Sequence, residues 1–137
     1  MLMRFGVSMP EELIDAFDKS IKNKGYHTRS EAIRDIIRDY LVEGEWECET
    51  GEVIGTVTIV YNHEVRELAN TLTSLQHSHQ SSIVCTTHVH LDKHNCLEVI
   101  IVRGSADQVR IIADKLISTK GVKHGKLVCT TTGLNLA

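Results

Sequence analysis

The segment Thr87-His88-Val89-His90-Leu91-Asp92-Lys93-His94-Asn95-Cys96 sets two imidazoles two residues apart and brings a thiol back six residues after the second. Alternate side chains of a strand share a face, so His88 and His90 are expected to project side by side. Leu91 to Asn95 is polar enough to turn, and Cys96 opens a second apolar run that ends at Val102. A hairpin here returns the sulfur to the two histidines. Two imidazoles and a thiolate suit a borderline or soft transition metal, not calcium or magnesium. Three ligands leave one position open, for water as at a catalytic zinc or for another part of an assembly. A His-x-His pair alone is more often a half-exposed polar strand face than a ligand pair. The thiol across the turn is what moves the reading towards metal.

Two segments with different patterns must position these groups. Residues 3–9 alternate loosely, with Met3, Phe5, Val7 and Met9 on one face and Arg4, Gly6 and Ser8 on the other. Pro10 suits a helix start, Leu13, Phe17 and Ile21 recur at spacing four, and Gly25 is placed to end the helix. Thr28-Arg29-Ser30-Glu31 has the capping-box form, and Ile33, Ile36, Ile37, Tyr40 and Leu41 supply the apolar stripe of a second helix. A β-α-α unit of about 40 residues is too small to bury a core alone. Both that defect and the single strand are resolved if two chains pair their strands antiparallel, the ribbon-helix-helix arrangement, whose two-stranded ribbon reads the major groove. Arg4, Gly6 and Ser8 then face the bases. An edge strand added to a larger sheet fits the same pattern.

Glu43 to Glu52 is acidic, contains glycine, lacks a helical stripe and reads as a connector. The expected division is therefore 1–43 for the first domain, 44–52 for the linker and 53–137 for the second domain. Val53–Tyr61 is β-rich, and His63–His77 carries Leu68, Leu72 and Leu75 at helical spacing. Ile83–His90 and Cys96–Val102 form the hairpin. Ser105–Lys120 is helical with Gly121 as its stop, and Lys126–Thr132 closes as a strand. The order β-α-β-β-α-β predicts a ferredoxin-like α+β domain, with four antiparallel strands and both helices on one face.

A hydrophobic content of 42% with only 4% aromatic indicates a globular chain with an aliphatic core. No run approaches the ~18 apolar residues of a membrane span, and no signal-peptide pattern opens the chain. The four cysteines are scattered, so a cytoplasmic, reduced protein is expected, with Cys85 and Cys129 as small buried hydrophobes and no role for Cys48. The net charge of -3, with seven Lys/Arg against eight Asp/Glu in residues 1–43, excludes a broad basic field. DNA contact must come from a few placed side chains and backbone amides.

Taken together, the chain resembles the nickel-responsive transcriptional regulators, the NikR family, over nearly its whole length. The matching pieces are Arg29–Ile36, Tyr61–Glu64, Leu75–His77, His88–His90, Cys96–Glu98 and Lys120–Gly125, in that order and spacing. The resemblance implies a ribbon-helix-helix DNA-binding domain joined to an ACT-like metal-sensing domain, assembled as a homotetramer (a dimer of dimers). It further implies one Ni(II) per protomer, held by His88, His90 and Cys96 of one protomer and His77 of its neighbour. The missing fourth ligand is then supplied by another chain. A planar three-nitrogen, one-sulfur set fits Ni(II) or Cu(II), whereas zinc prefers tetrahedral closure. A second cation site between the domains maps onto Glu31 and Asp35. Where some relatives carry consecutive histidines this chain has His77-Ser78-His79-Gln80, and only His77 is assigned. His27, His63, His94 and His124 read as surface or supporting groups. The function implied is a nickel-dependent repressor of nickel-uptake genes, acting on operator DNA. A metal buffer and an ACT-type amino-acid sensor are the rivals. An enzyme is disfavoured because four protein ligands leave no position for a water nucleophile, and no nucleophile–base pair or phosphate loop stands out.

Overall fold

A computed structural model describes residues 1–48 and 50–137. The chain divides into two compact units, Met1–Tyr40 and Leu41–Ala137. In the first, helix α1 spans Glu11–Asn23, and helix α2, which starts there, spans Arg29–Glu47. Helix α1 stops as Gly25 requires. With Gly25 at φ +89°, its N–H donates to Lys22 O and that of Tyr26 donates to Ile21 O, the paired bonds of a Schellman turn. Thr28 Oγ1 accepts from the Glu31 N–H at 3.2 Å, which is the N-cap half of the expected box. Arg29 grips Asp18 through two 2.7 Å bonds, closing the end of α1 onto the start of α2.

Only Ile21 and Ala32 are buried in residues 1–40. Met3, Phe5, Val7 and Met9 stand 41–85% exposed, and residues 3–9 lie in no strand of the single chain. The expected strand is thus not a property of one chain, because a ladder needs a second strand to receive its N–H and C=O groups. The α2 stripe is likewise open, with Ile36, Ile37, Tyr40 and Leu41 all exposed.

The second unit contains strand β1 (Val53–Asn62), helix α3 (Leu68–Ser78), strands β2 (Ile83–His90) and β3 (Asn95–Gly104), helix α4 (Ala106–Ile117) and strand β4 (Val122–Thr130). All neighbours are antiparallel and the order is β2-β3-β1-β4. This is the expected ferredoxin-like arrangement. Burial alternates along the whole of β1. Its inward side chains Val57, Ile59 and Tyr61, with Ile100 and Val102 of β3, meet Leu68 and Leu72 of α3 and Val109, Ile112 and Leu116 of α4. Gly55 lets α4 approach, since a Cβ there would lie 2.7 Å from Val109 Cγ1.

Several boundaries differ from the sequence reading. Helix α2 continues to Glu47, so residues 44–47, expected in the connector, are helical. Trp46 explains the extension: it is buried in the core of the second unit, its Nε1–H donates to Thr130 O at 2.8 Å, and the Arg110 guanidinium lies 5.3 Å from its ring centre. Helix α3 starts at Leu68 and not His63. Asn62 Oδ1 accepts from the Glu64 N–H at 2.9 Å, drawing the chain into a turn, and Glu67 sits at φ +68°. Strand β4 begins four residues before the expected Lys126, because Val122–Lys126 pairs with β1 although its own pattern is too polar to announce a strand. Cys85 and Cys129 are exposed in the single chain, not buried as expected. Cys85 opposes Ile101 on edge strand β2, on the face away from the helices.

Candidate metal centre

The β2–β3 hairpin places its polar groups by register. His88 opposes Glu98 and His90 opposes Cys96, all four on the helix-covered side of the sheet. The turn is tied by Asp92, whose Oδ1 accepts from the backbone N–H groups of His94 and Asn95, each at 2.8 Å. Bonds from the Asn95 side chain and these amides push the Asp92 carboxyl down to about 2. Cys96 is fully buried with its Sγ 3.3 Å from His90 Nδ1. Burial, reinforced by the carboxylates of Glu98 and Asp92, raises the thiol above its ordinary range. Metal entry at Cys96 must therefore expel a proton.

Glu98 is the buried anchor behind the histidines. Its Oε1 accepts from the Tyr61 hydroxyl at 2.6 Å and from His88 Nδ1 at 3.2 Å. Its Oε2 accepts from Gln76 Nε2 at 3.0 Å, and Gln76 Oε1 in turn accepts from Thr86 Oγ1 at 2.7 Å. Burial and the Glu98 bond raise the Tyr61 phenol well above its usual 10. A carboxylate only accepts, so His88 carries its proton on Nδ1 and its lone pair on Nε2. That is how a supporting carboxylate prepares an imidazole for a metal.

Among the described residues, His63, His90 and Cys96 converge, their donor atoms all lying within 4.8 Å of one another. His88 stands beside them, its ring centre 5.1 Å from that of His90, but its Nδ1 is turned to Glu98. His77 lies exposed near the end of α3, next in sequence to the anchored Gln76. It does not join the cluster within the chain. His63, read from sequence as a supporting group, stands in this cluster beside His90 and Cys96. The pairing of Tyr61 with Cys96 and of Asn62 with Asn95 brings the end of β1 to the hairpin, a placement that only the strand order contains. His94 is engaged elsewhere, its Nδ1 2.8 Å from Glu64 Oε2.

In the first unit Arg4, Gly6 and Ser8 are exposed. Asp35 is already occupied: Oδ2 accepts from the Tyr26 hydroxyl at 2.7 Å and Oδ1 from Arg38 at 3.1 Å. These bonds, Tyr26 first, hold its carboxyl below 3.8. A cation shared by Glu31 and Asp35 has to compete with both partners.

A two-helix unit with an open apolar stripe, joined to a ferredoxin-like domain carrying imidazole and thiolate donors, fits a metal-responsive regulator. Comparison with known proteins identifies which one. Residues 54–130 match the NikR C terminal nickel binding domain, and residues 3–44 match the ribbon-helix-helix proteins of the copG family. The chain belongs to the nickel-responsive regulator family. It is 61% identical to a protein of Caldanaerobacter subterraneus over 98% of this chain and 88% of that one. It is 60% identical to one of Geotalea uraniireducens over 98% and 96%, and 56% identical to one of Thermococcus onnurineus over 98% of both. All three carry the name "Putative nickel-responsive regulator". A solved structure of an uncharacterized protein from Thermotoga maritima shares the fold, at a TM-score of 0.52 and 16% identity, over 58% of this chain and 98% of its own.

Proposed function

We propose that this chain is a nickel-dependent, sequence-specific DNA-binding regulator that represses nickel-uptake genes from the cytoplasm when Ni(II) is bound. The observation that carries the reading is the hairpin: a buried thiol 3.3 Å from one imidazole, with a second imidazole held beside them by Glu98. The donor set fits nickel in chemistry, since imidazole and thiolate both favour late first-row cations. His88, His90 and Cys96 of one protomer, with His77 of its neighbour, hold one Ni(II) per protomer in a homotetramer. When bound, Ni(II) supplies a cross-link between the hairpin of one protomer and α3 of another. Glu98 orients His88, and through Gln76 it also ties down the helix end that bears His77. Residues 3–9 of two chains pair as a ribbon that covers Met3, Phe5, Val7 and Met9 and turns Arg4, Gly6 and Ser8 to the operator. Glu31 and Asp35 are the proposed second cation site, Arg38 being displaced on occupancy. Any metal that favours the DNA-competent arrangement must, by reciprocity, be bound more tightly on DNA.

The test is nickel titration of the metal-free full-length chain and of His77→Ala, followed by gel-shift assay against promoter fragments of nickel-uptake genes. One nickel per chain is expected, with thiolate charge-transfer and planar d–d bands and nickel-stimulated DNA retention, all lost in His77→Ala. Unchanged nickel-stimulated retention in His77→Ala would refute the shared site.

A further inference from the structure

The donors that converge within one chain are not the set assigned to nickel. His63 replaces His88 beside His90 and Cys96, its ring centre 5.5 Å from that of His90. His63 Nε2 lies 3.0 Å from the Lys93 carbonyl oxygen. A carbonyl only accepts, so Nε2 carries the proton and Nδ1 keeps the lone pair. A backbone carbonyl fixing the tautomer from the far side is the usual support for a metal-bound imidazole. His88 faces the opposite constraint, with Nδ1 committed to Glu98 and Tyr61.

Bond lengths of about 2.3 Å to sulfur and 2.05 Å to nitrogen place the two donors about 3.1 Å apart at a right angle and about 3.6 Å apart at the tetrahedral angle. The Cys96–His90 separation of 3.3 Å lies between these, so the pair serves either geometry with a small rotation. The third donor decides which geometry is completed. We infer that His63, His90 and Cys96 form a second, intrachain binding mode, with water as fourth ligand, for divalent cations that prefer tetrahedral coordination, zinc and cobalt foremost. Cys96 releases its thiol proton to solvent on binding. This mode needs nothing from a second chain. A cation held by it leaves His77 unengaged and does not link protomers, so it occupies the hairpin without operating the switch. Selectivity then comes from which third donor a cation recruits, and affinity ranking alone does not set it. The consequence for switching rests on the reading that His77 of a neighbouring protomer completes the nickel set, whereas the site itself does not.

The experiment titrates metal-free, full-length protein with Co(II), Zn(II) and Ni(II), in the unaltered chain and in His63→Ala, His63→Gln and His77→Ala. Circular dichroism confirms that each variant folds. Both His63 variants are expected to lose the intense tetrahedral Co(II) d–d bands and to bind Zn(II) at least about tenfold more weakly. Their Ni(II) spectrum and stoichiometry stay those of the unaltered chain, and His77→Ala gives the reverse pattern. Unaltered tetrahedral Co(II) bands in the His63 variants overturn the inference, as does an equal loss of Ni(II) binding, which makes His63 a ligand common to all metals. Retention of the planar Ni(II) spectrum in His77→Ala overturns the nickel reading instead and leaves the intrachain site standing.

Discussion

Glu98→Gln separates the role of the supporting carboxylate from that of the ligands. The substitution keeps the shape and one acceptor. The new carboxamide presents its oxygen to Tyr61 and His88, and its amino group then meets Gln76 Nε2, donor against donor. Gln76 escapes by flipping its amide, and the Thr86 hydroxyl, 2.7 Å from Gln76 Oε1, turns from donor to acceptor. What is lost is the charge. A hydrogen bond to a charged group contributes about 1.5–3 kcal/mol and one between neutral groups about 0.5–1.5. Only the Tyr61 bond, 2.6 Å long and buried, feels the whole difference, because the His88 ring is 40% exposed and can turn to water. The cost is about 1–1.5 kcal/mol, reduced further because a buried carboxylate no longer has to be desolvated. For a unit of 60–100 residues that lowers Tm by at most roughly 5–10 °C. Nickel affinity is expected to fall about 10–100-fold, the usual effect of a lost supporting partner, while the charge-transfer bands survive because every ligand is retained. Competition against a chelator gives the affinity, and differential scanning of the metal-free chain gives Tm. Affinity within twofold of the unaltered chain would show that Glu98 does not prepare His88, and loss of the bands would show that it is itself a ligand.

Trp46→Ala removes a side chain buried at 4% exposure together with its bond to Thr130 and its contact with Arg110. A loss of about 3–5 kcal/mol is expected in denaturant unfolding of the metal-free chain; a change under ~1 kcal/mol would mean that Trp46 does not fasten the end of α2 to the sheet. Asp92, held at about 2, contributes to the hairpin fully above its ordinary 3.8 and loses that contribution as pH falls through about 2, since the charged form is the one the turn binds. The amide resonances of His94 and Asn95 should titrate with that low midpoint and stop titrating in Asp92→Asn, while a midpoint at the ordinary value would mean a turn that does not bind the carboxylate.

Local periodicity and local chemistry were legible in the chain itself. The β-α-β-β-α-β order, the Gly25 stop, the Thr28 cap and the shared face of His88 and His90 each depend on residues within a turn or two of one another. Boundaries failed where a neighbour in space overrode the pattern. Trp46 made helix out of an apparent linker because a core was there to receive it, and Val122–Lys126 became strand because β1 was long enough to pair with it.

The sequence by itself determined that a thiol returns across a hairpin to a pair of imidazoles, because alternation and turn composition are properties of adjacent residues. Which donors meet was decided only by the tertiary structure. The order β2-β3-β1-β4 sets β1 beside β3, and their register carries His63 to Cys96 across more than thirty residues of chain. The same register sets Glu98 behind His88 and fixes which nitrogen that ring offers. Residues 3–9 lie in no strand of the single chain, and the ribbon proposed for them needs a second copy to supply its hydrogen-bond partners.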